Sequence, residues 1–571
     1  MLDVAKPPTP QAQNATSSLN DDIQLQILHP RHGMADDDLD DNAPLIARED
    51  GAESIHSEGG AEDGPAERPL TAFVWAFTFT VSVSGLLFGY DTGVVSSLLV
   101  SIGTDLSQRE LTTLDKSLIT ASTSLFALLA SPIAGILADR YGRKAVISIA
   151  DILFVGGALW QASTQQVWGM VVGRSIVGLA IGAASLVTPL YISELAPSQH
   201  RGRLVTSSVL WITGGQVIAY LVGWGLSYAL HGWRWVVGLG AAPAALQFGL
   251  IVFLPETPRW LVKVRRVGEA RTALNKVYGQ GTEAVVDRVI QDINAEVVKE
   301  EGGKDLEEHG LTSKNTGAWF GALRNKSDEL FSIGGNRRAL TIACLLQSLQ
   351  QLCGFNSLMY FSATIFSQVG FSNPTLVSLS VAGTNFLFTT IAMTLIDRVG
   401  RRHILIQSIP VMILGLLLAA LSFNFLPTKI TNHFFTSVNP TKDTSDITSP
   451  WAIVIVLAMV VYVSAFALGL GNVPWQQSEL FPLSIRSLGS GISTATNWGS
   501  NFVVGLTFLP MMDILSPTWT FVSYAVVCGL GWIAVWRIYP ETKGMSLEEV
   551  SGLLEKGWGV EESLKRVQRR R

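Results

Sequence analysis

From residue 72 onward the chain alternates blocks of predominantly apolar residues with short breaks rich in charge, proline or glycine. Each block is about as long as the roughly 20 residues a helix needs to cross hydrocarbon. The pattern predicts spans near 72–98, 117–138, 145–163, 167–189, 204–229 and 235–254. After a polar stretch it resumes near 339–367, 375–396, 404–425, 451–474, 486–511 and 518–538. The intervening stretch, 255–338, mixes charge with helical apolar spacing around Arg265, Glu269, Ala270, Leu274 and Lys276 and reads as short amphipathic helices. The expected organisation is a disordered acidic tail (1–70), an N-terminal six-helix bundle (71–254), a helical linker (255–338), a C-terminal six-helix bundle (339–538) and a C-terminal tail (539–571).

The breaks themselves carry a bias. Arg140, Arg143 and Lys144 follow the second span, His200, Arg201 and Arg203 the fourth, and Arg398, Arg401, Arg402 and His403 the eighth. The alternate breaks are poorer in Lys and Arg, which assigns the basic loops and both termini to the cytoplasm. The string from Gly135 to Lys144 recurs in part as Asp397–Arg402, each copy after the second span of its half, so the chain is expected to be two similar six-helix repeats.

Composition sharpens this reading. Only 15% of residues are charged, against about a quarter in a soluble average. Many of the 53 glycines fall inside the apolar blocks, where membrane helices use them for close packing. Cys344, Cys353 and Cys528 have no metal-site spacing and read as buried thiols. The run Asp36, Asp37, Asp38, Asp40, Asp41 reads as a solvated cluster rather than a metal site. No nucleophile–base cluster and no phosphate-binding glycine loop is visible, which argues against an enzyme or an ATP-driven pump. No cofactor and no metal are expected.

Several motifs occur in one order: the two DRxGR copies; Gly173–Arg174 with Gly178 and Gly182; Pro189, Tyr191, Ser193, Glu194, Ala196, Pro197, Arg201 and Gly202; Pro255 to Leu261; Gln350–Gln351 with Gly354, Asn356 and Tyr360; Pro474–Trp475 with Glu479, Phe481, Pro482 and Arg486; and Pro540 to Gly544. On these the chain, from about Phe73 to Val550, resembles the sugar porter family of the major facilitator superfamily. The strings Gly89–Tyr90–Asp91–Thr92–Gly93, Ser101 to Leu106, Asn356 to Phe361 and Val473 to Pro482 are most similar to fungal proton-coupled myo-inositol transporters. The resemblance implies an all-α membrane protein of the major facilitator fold, with twelve transmembrane helices in two pseudo-repeats.

Asp91 lies inside the first span, where a carboxylate is costly and marks a pathway or relay. The resemblance supplies Arg174 as its counter-ion and proton coupling as the role of the pair; a permanent pair that only packs the bundle is the alternative. Asp151, in the third span, is explained more simply by snorkelling or an interhelical hydrogen bond. A polyol presents hydroxyls on all sides and apolar C–H faces, so its site should combine amides with an aromatic wall. The resemblance assigns Phe88, Gln216, Gln350, Gln351, Asn356, Tyr360, Asn385, Trp475, Asn497 and Trp498. Gln350 and Asn356 fall on different helical faces, and a break at Gly354 would widen their fan. Asp139, Arg140, Arg143, Glu194, Arg201, Glu256, Asp397, Arg401, Glu479 and Arg486 form an expected intracellular gate of switching ion pairs, with topology signalling as a second role for the basic members.

The function implied is a proton symporter importing myo-inositol or a related polyol by alternating access at the plasma membrane. A proton-linked or facilitative hexose carrier and a non-transporting sugar sensor are the alternatives. Expected partners are the small solute, protons and the lipid bilayer, not nucleic acid, with the chain acting as a monomer.

Overall fold

The computed structural model describes residues 71–197, 200–279, 282–302, 316–426, 449–482, 484–545 and 547–569, all within one compact unit, Glu67–Arg571. The expected tail 1–70, with its aspartate run, lies outside the described residues. Among the described residues there is no strand.

The first half contains α1 (Ala72–Ser101), α2 (Thr113–Tyr141), α3 (Arg143–Ser163), α4 (Val167–Leu195) and α5 (Arg201–Gly225), then a sixth span made of α6 (Gly232–Leu239) and α7 (Ala241–Ile251). Four linker helices follow: α8 (Pro258–Lys263), α9 (Val267–Tyr278), α10 (Glu283–Gly302) and α11 (Thr316–Ser332). The second half contains α12 (Gly334–Leu352), α13 (Phe355–Val369), α14 (Pro374–Val399), α15 (Arg401–Asn424), α16 (Pro450–Leu468), a 3-10 turn (Val473–Leu480), α17 (Arg486–Ile514) and α18 (Ser516–Ile538). The chain ends in α19 (Leu547–Lys556) and α20 (Val560–Arg569). The C-terminal stretch is thus docked rather than a bare tail: Val550, Leu553 and Leu554 are buried, and α19 packs on α12.

Among the described residues nine helices are long and apolar enough to cross a membrane. The fifth, seventh and eleventh expected spans are helical as well, but polar side chains dilute them: Gln216 in α5, Gln347, Gln350 and Gln351 in α12, Asn497 and Asn501 in α17. These are the spans that carry the amide cluster below. Three spans are broken. The seventh stops at Cys353 and restarts at Phe355, with Gly354 in the left-handed region at φ +88°, where glycine has no Cβ penalty. The sixth, expected as one run, divides at Gly240. The tenth, expected to continue to 474, ends at Leu468 and re-forms as the 3-10 turn.

Glycines set how closely the spans approach. On α1 the series Gly85, Gly89 and Gly93 faces the backbone of α5: a Cβ on Gly89 would lie 1.8 Å from the Ile212 carbonyl oxygen. On α4, a Cβ on Gly178 would lie 2.4 Å from the Thr123 carbonyl oxygen of α2, and one on Gly182 would lie 2.5 Å from that of Ala127. Without a hydrophobic force between helices in lipid, such small-residue seams supply the packing. The two halves meet where α1 packs on α13, α2 on α17 and α5 on α14.

Candidate functional site

Asp91, only 8% exposed, stands on α1 beside Gly89 and Gly93. Arg174, 1% exposed on α4, donates through Nη1 to Asp91 Oδ1 and through Nε to the Ile119 carbonyl of α2 at 3.3 Å. The Gly178 and Gly182 seam draws α4 against α2, which puts the Ile119 carbonyl within reach of Arg174. One ion pair thereby ties three helices of the first half.

The expected amides converge. Asn356 Nδ2 donates to Gln351 Oε1 at 2.6 Å, and Gln351 Nε2 donates to Asn497 Oδ1 at 3.1 Å. Asn497 Nδ2 in turn donates to Gln350 Oε1 at 2.8 Å and Gln347 Oε1 at 2.7 Å. Gln350 Nε2 reaches the Leu470 carbonyl at 2.8 Å in the break of the tenth span. The break at Gly354 brings Asn356 back to Gln351, which an unbroken helix would have turned away. A second amide pair crosses between the halves, Asn385 Nδ2 of α14 donating to Gln216 Oε1 of α5 at 2.8 Å. Tyr360 faces Asn501, whose Nδ2 donates to the phenol oxygen at 3.1 Å. The rings of Phe88 and Trp498 lie 5.3 Å apart across the halves, with Trp498 Nε1 donating to Ser185 at 3.3 Å. Trp475 sits on the described 3-10 turn, but its side chain lies outside the described residues.

Sequence reasoning did not single out Gln347, Gln477 and Asn501. Gln347 Nε2 donates to Gln477 Oε1 at 2.9 Å and to the Pro474 carbonyl at 3.0 Å. The signal was present: Gln347 lies three and four residues before Gln350 and Gln351, and Asn501 four after Asn497, each on one helical face. Asp151 corrects an expectation. It neither snorkels nor bonds a neighbouring helix, being 3% exposed with no hydrogen-bond partner for Oδ2. The aliphatic face of α3 that holds it turns into the bundle rather than toward the ends of the span.

On the face with the basic loops, Arg143 Nη2 pairs with Asp139 at 3.1 Å and Glu194 at 2.9 Å, and Arg401 Nη2 with Glu479 at 3.5 Å. Each of these pairs lies within one half. Arg486 Nη2 donates to the Phe481 carbonyl at 3.4 Å, and Arg140 stacks over the Tyr141 ring. The side chains of Arg201 and Asp397 lie outside the described residues. Glu256 accepts backbone N–H bonds from Arg143 at 2.9 Å, Lys144 at 3.1 Å and Thr257 at 3.0 Å, so its carboxylate caps the start of α3. Burial pushes this carboxyl above its ordinary value, against the lowering effect of those bonds. Glu541, part of the Pro540 to Gly544 motif but given no role from sequence, does the same at the start of α15, accepting from Arg401 at 2.9 Å and His403 at 3.3 Å. Both caps sit over glycines in the positive-φ region, Gly142 and Gly400. Among the described residues no cluster of three or more His, Cys, Asp or Glu could hold a metal ion.

This arrangement can bind a neutral, hydroxyl-rich solute and hold one ionisable pair beside it. The family described as "Sugar (and other) transporter" matches residues 77–554. Myo-inositol transporter 1 of Cryptococcus neoformans var. grubii is 43% identical over 509 residues, 88% of this chain and 86% of that one. Myo-inositol transporter 1 of Saccharomyces cerevisiae is 42% identical over 494 residues, 86% of this chain and 81% of that one. Among solved structures, the xylose transporter XylE of E. coli in a partially occluded inward-open conformation superimposes with a TM-score of 0.67 at 25% identity, covering 83% of this chain and all of its own. The proton:xylose symporter XylE bound to 6-bromo-6-deoxy-D-glucose matches with a TM-score of 0.67 at 26% identity, covering 84% of this chain and 99% of its own.

Proposed function

The chain belongs to the sugar (and other) transporter family, and from that premise we propose that it imports myo-inositol or a close polyol together with a proton. The observation that carries this reading is the cluster of buried, uncharged amides from α12, α13 and α17 in the same compact unit as the Asp91–Arg174 pair. Amides offer donors and acceptors at once and so suit a ring of hydroxyls. The most similar relatives named above are myo-inositol transporters, which favours a cyclitol over a hexose. The XylE structures, named for xylose, are less similar in sequence.

In the proposed cycle the solute enters between the halves and is held by Gln216, Gln350, Gln351, Asn356, Asn385 and Asn497, with Phe88, Tyr360, Trp475 and Trp498 against its C–H faces. Protonation of Asp91 loosens its pair with Arg174 and permits the halves to rock. The Arg-rich loops and both termini face the cytoplasm at the plasma membrane, and one chain suffices. The gate residues Asp139, Arg140, Arg143, Glu194, Arg201, Glu256, Asp397, Arg401, Glu479 and Arg486 exchange partners between the two conformations. A proton moving through about 100 mV releases roughly 2.3 kcal/mol, and one pH unit adds about 1.4 kcal/mol. Together these support accumulation of several hundredfold, on the order of tenfold per 1.4 kcal/mol.

The test is radiolabelled myo-inositol uptake in a cell lacking its own carriers, with a panel of unlabelled solutes and an uncoupler. Uptake above equilibrium that the uncoupler collapses, with little competition by glucose or xylose, is the expected result; preference for glucose would replace the solute, and indifference to the uncoupler would remove the proton. Asp91→Asn should keep solute binding and lose accumulation.

A further inference from the structure

The transport reading uses one buried carboxyl of the first half, yet the structure buries two. Asp151 on α3 is 3% exposed and its Oδ2 has no hydrogen-bond partner. An ionised carboxylate this deeply buried, with no donor to Oδ2, costs several kcal/mol even after relaxation, so the surroundings fit a carboxylic acid. Such a group contributes nothing to packing that a leucine would not supply better. Ionisable groups at membrane depth generally mark a pathway.

Its position relative to Asp91 is specific. Asp151, Phe154, Ala158 and Gln161 form one stripe of α3 at helical spacing. The last three line a small cavity between α1, α3, α4 and α6, into which Asp91 and Arg174 also face. Gln161 Oε1, buried there, has no hydrogen-bond partner. Asp151 therefore lies one helical turn, roughly 5 Å, beyond the Phe154 ring on the cytoplasmic side. On that side α3 runs antiparallel to α7: Lys144 Nζ holds the Val252 and Leu254 carbonyls at one end, and Phe154 meets Gly240 at the other. This register puts Asp151 level with the turn from Ala244 to Gln247. Gln247 Oε1 is again a buried acceptor without a partner, while its Nε2 donates to Ser84 Oγ of α1 at 2.7 Å.

We propose that Asp151 is a second proton-carrying carboxyl of the transport cycle, in series with Asp91 and separated from it by Phe154. The proposal rests on the proton-symport reading. Having released its own proton to the cytoplasm, Asp151 takes the next one from Asp91. The O–H bond on Asp91 breaks, an O–H bond forms on Asp151, and Asp91 is left as the carboxylate paired with Arg174. Net charge is unchanged by the transfer.

No fixed charge on a neighbouring helix competes at that level. The charged or titratable groups of α4 are Arg174, Tyr191 and Glu194, and those of α2 are Asp115, Lys116, Asp139, Arg140 and Tyr141, near its two ends. Helix α6 contributes Arg234 at its outer end, α7 contributes none, and Arg143 and Lys144 sit about two turns down α3 itself.

The experiment compares proton-gradient-driven uptake with counterflow exchange of labelled myo-inositol in proteoliposomes containing the full chain. Asp151→Asn reproduces the shape of the neutral acid and cannot carry a proton. Gradient-driven uptake should fall at least about tenfold, equivalent to about 1.4 kcal/mol on the coupled step, while counterflow stays within about twofold. Wild-type uptake with an unchanged pH profile in this variant would overturn the proposal and leave Asp151 as a permanently neutral core group. Should the Asn variant fail to fold, the external-pH midpoint of uptake by Asp151→Glu decides: a shifted midpoint supports proton carriage, and an unmoved one refutes it. If the unaltered chain catalyses counterflow but no gradient-driven uptake, it is the symport reading itself that fails.

Discussion

At the scale of single residues, Gln351 holds the amide cluster at its middle, accepting from Asn356 at 2.6 Å and donating to Asn497 at 3.1 Å. Gln351→Leu keeps the volume and strands two buried partners, each at a cost of about 1–3 kcal/mol. The apparent KM for solute should rise roughly tenfold or more, while the purified variant elutes as a single monodisperse species. Asp105, in the loop before α2, takes bonds at 2.7 Å from Trp233 Nε1 and from His231 Nδ1. The Trp233 bond, then that of His231, holds its carboxyl below its ordinary 3.8. A depressed acid contributes stability above its unfolded value that is lost as pH falls through the folded one. Asp105→Asn should therefore lower thermal stability at pH 6, with the gap from wild type narrowing only as pH falls below the ordinary 3.8 in detergent melts.

At the scale of elements, the protein spends its backbone irregularities where the solute cluster needs them. The break in the seventh span was legible because Gly354 stands between Gln350 and Asn356, whose faces disagree in an unbroken helix. The division of the sixth span at Gly240 was not, since a lone glycine in an apolar run reads equally as a packing contact. The pairing of Gly142 with Glu256 shows the same limit: the acid is 114 positions away in sequence, and spacing carries no information at that distance. Its counterpart Glu541 over Gly400 follows from the internal repeat once the first cap is seen. Removing either cap, as Glu256→Ala or Glu541→Ala, exposes unsatisfied N–H groups at a helix start and should cost about 1–3 kcal/mol. The two losses should add in the double variant, because the caps lie in separate halves with no shared partner. Melting of the detergent-solubilised protein measures both terms.

At the scale of the whole molecule, hydroxyl groups join the halves at a distance from the basic loops. Ser96 of α1 bonds Ser362 of α13 at 3.1 Å and accepts from the Ala363 amide at 3.0 Å. Tyr220 of α5 donates to the Met359 carbonyl at 2.5 Å and lies 2.9 Å from the Ser362 hydroxyl. All these residues are buried, so the contact is dry and its bonds act in low dielectric. The halves are thus held together on the side away from the basic loops. Tyr220→Phe removes the phenol donor and leaves the ring, so the Met359 carbonyl loses a partner in this conformation. A bond of about 1 kcal/mol that exists in one conformation shifts the equilibrium about fivefold when removed. Distances between spin labels on the ends of α1 and α13 away from the basic loops should show the wider population enriched by that factor in Tyr220→Phe. An unchanged distribution would mean that the hydroxyl contact persists through the cycle and that the halves part elsewhere.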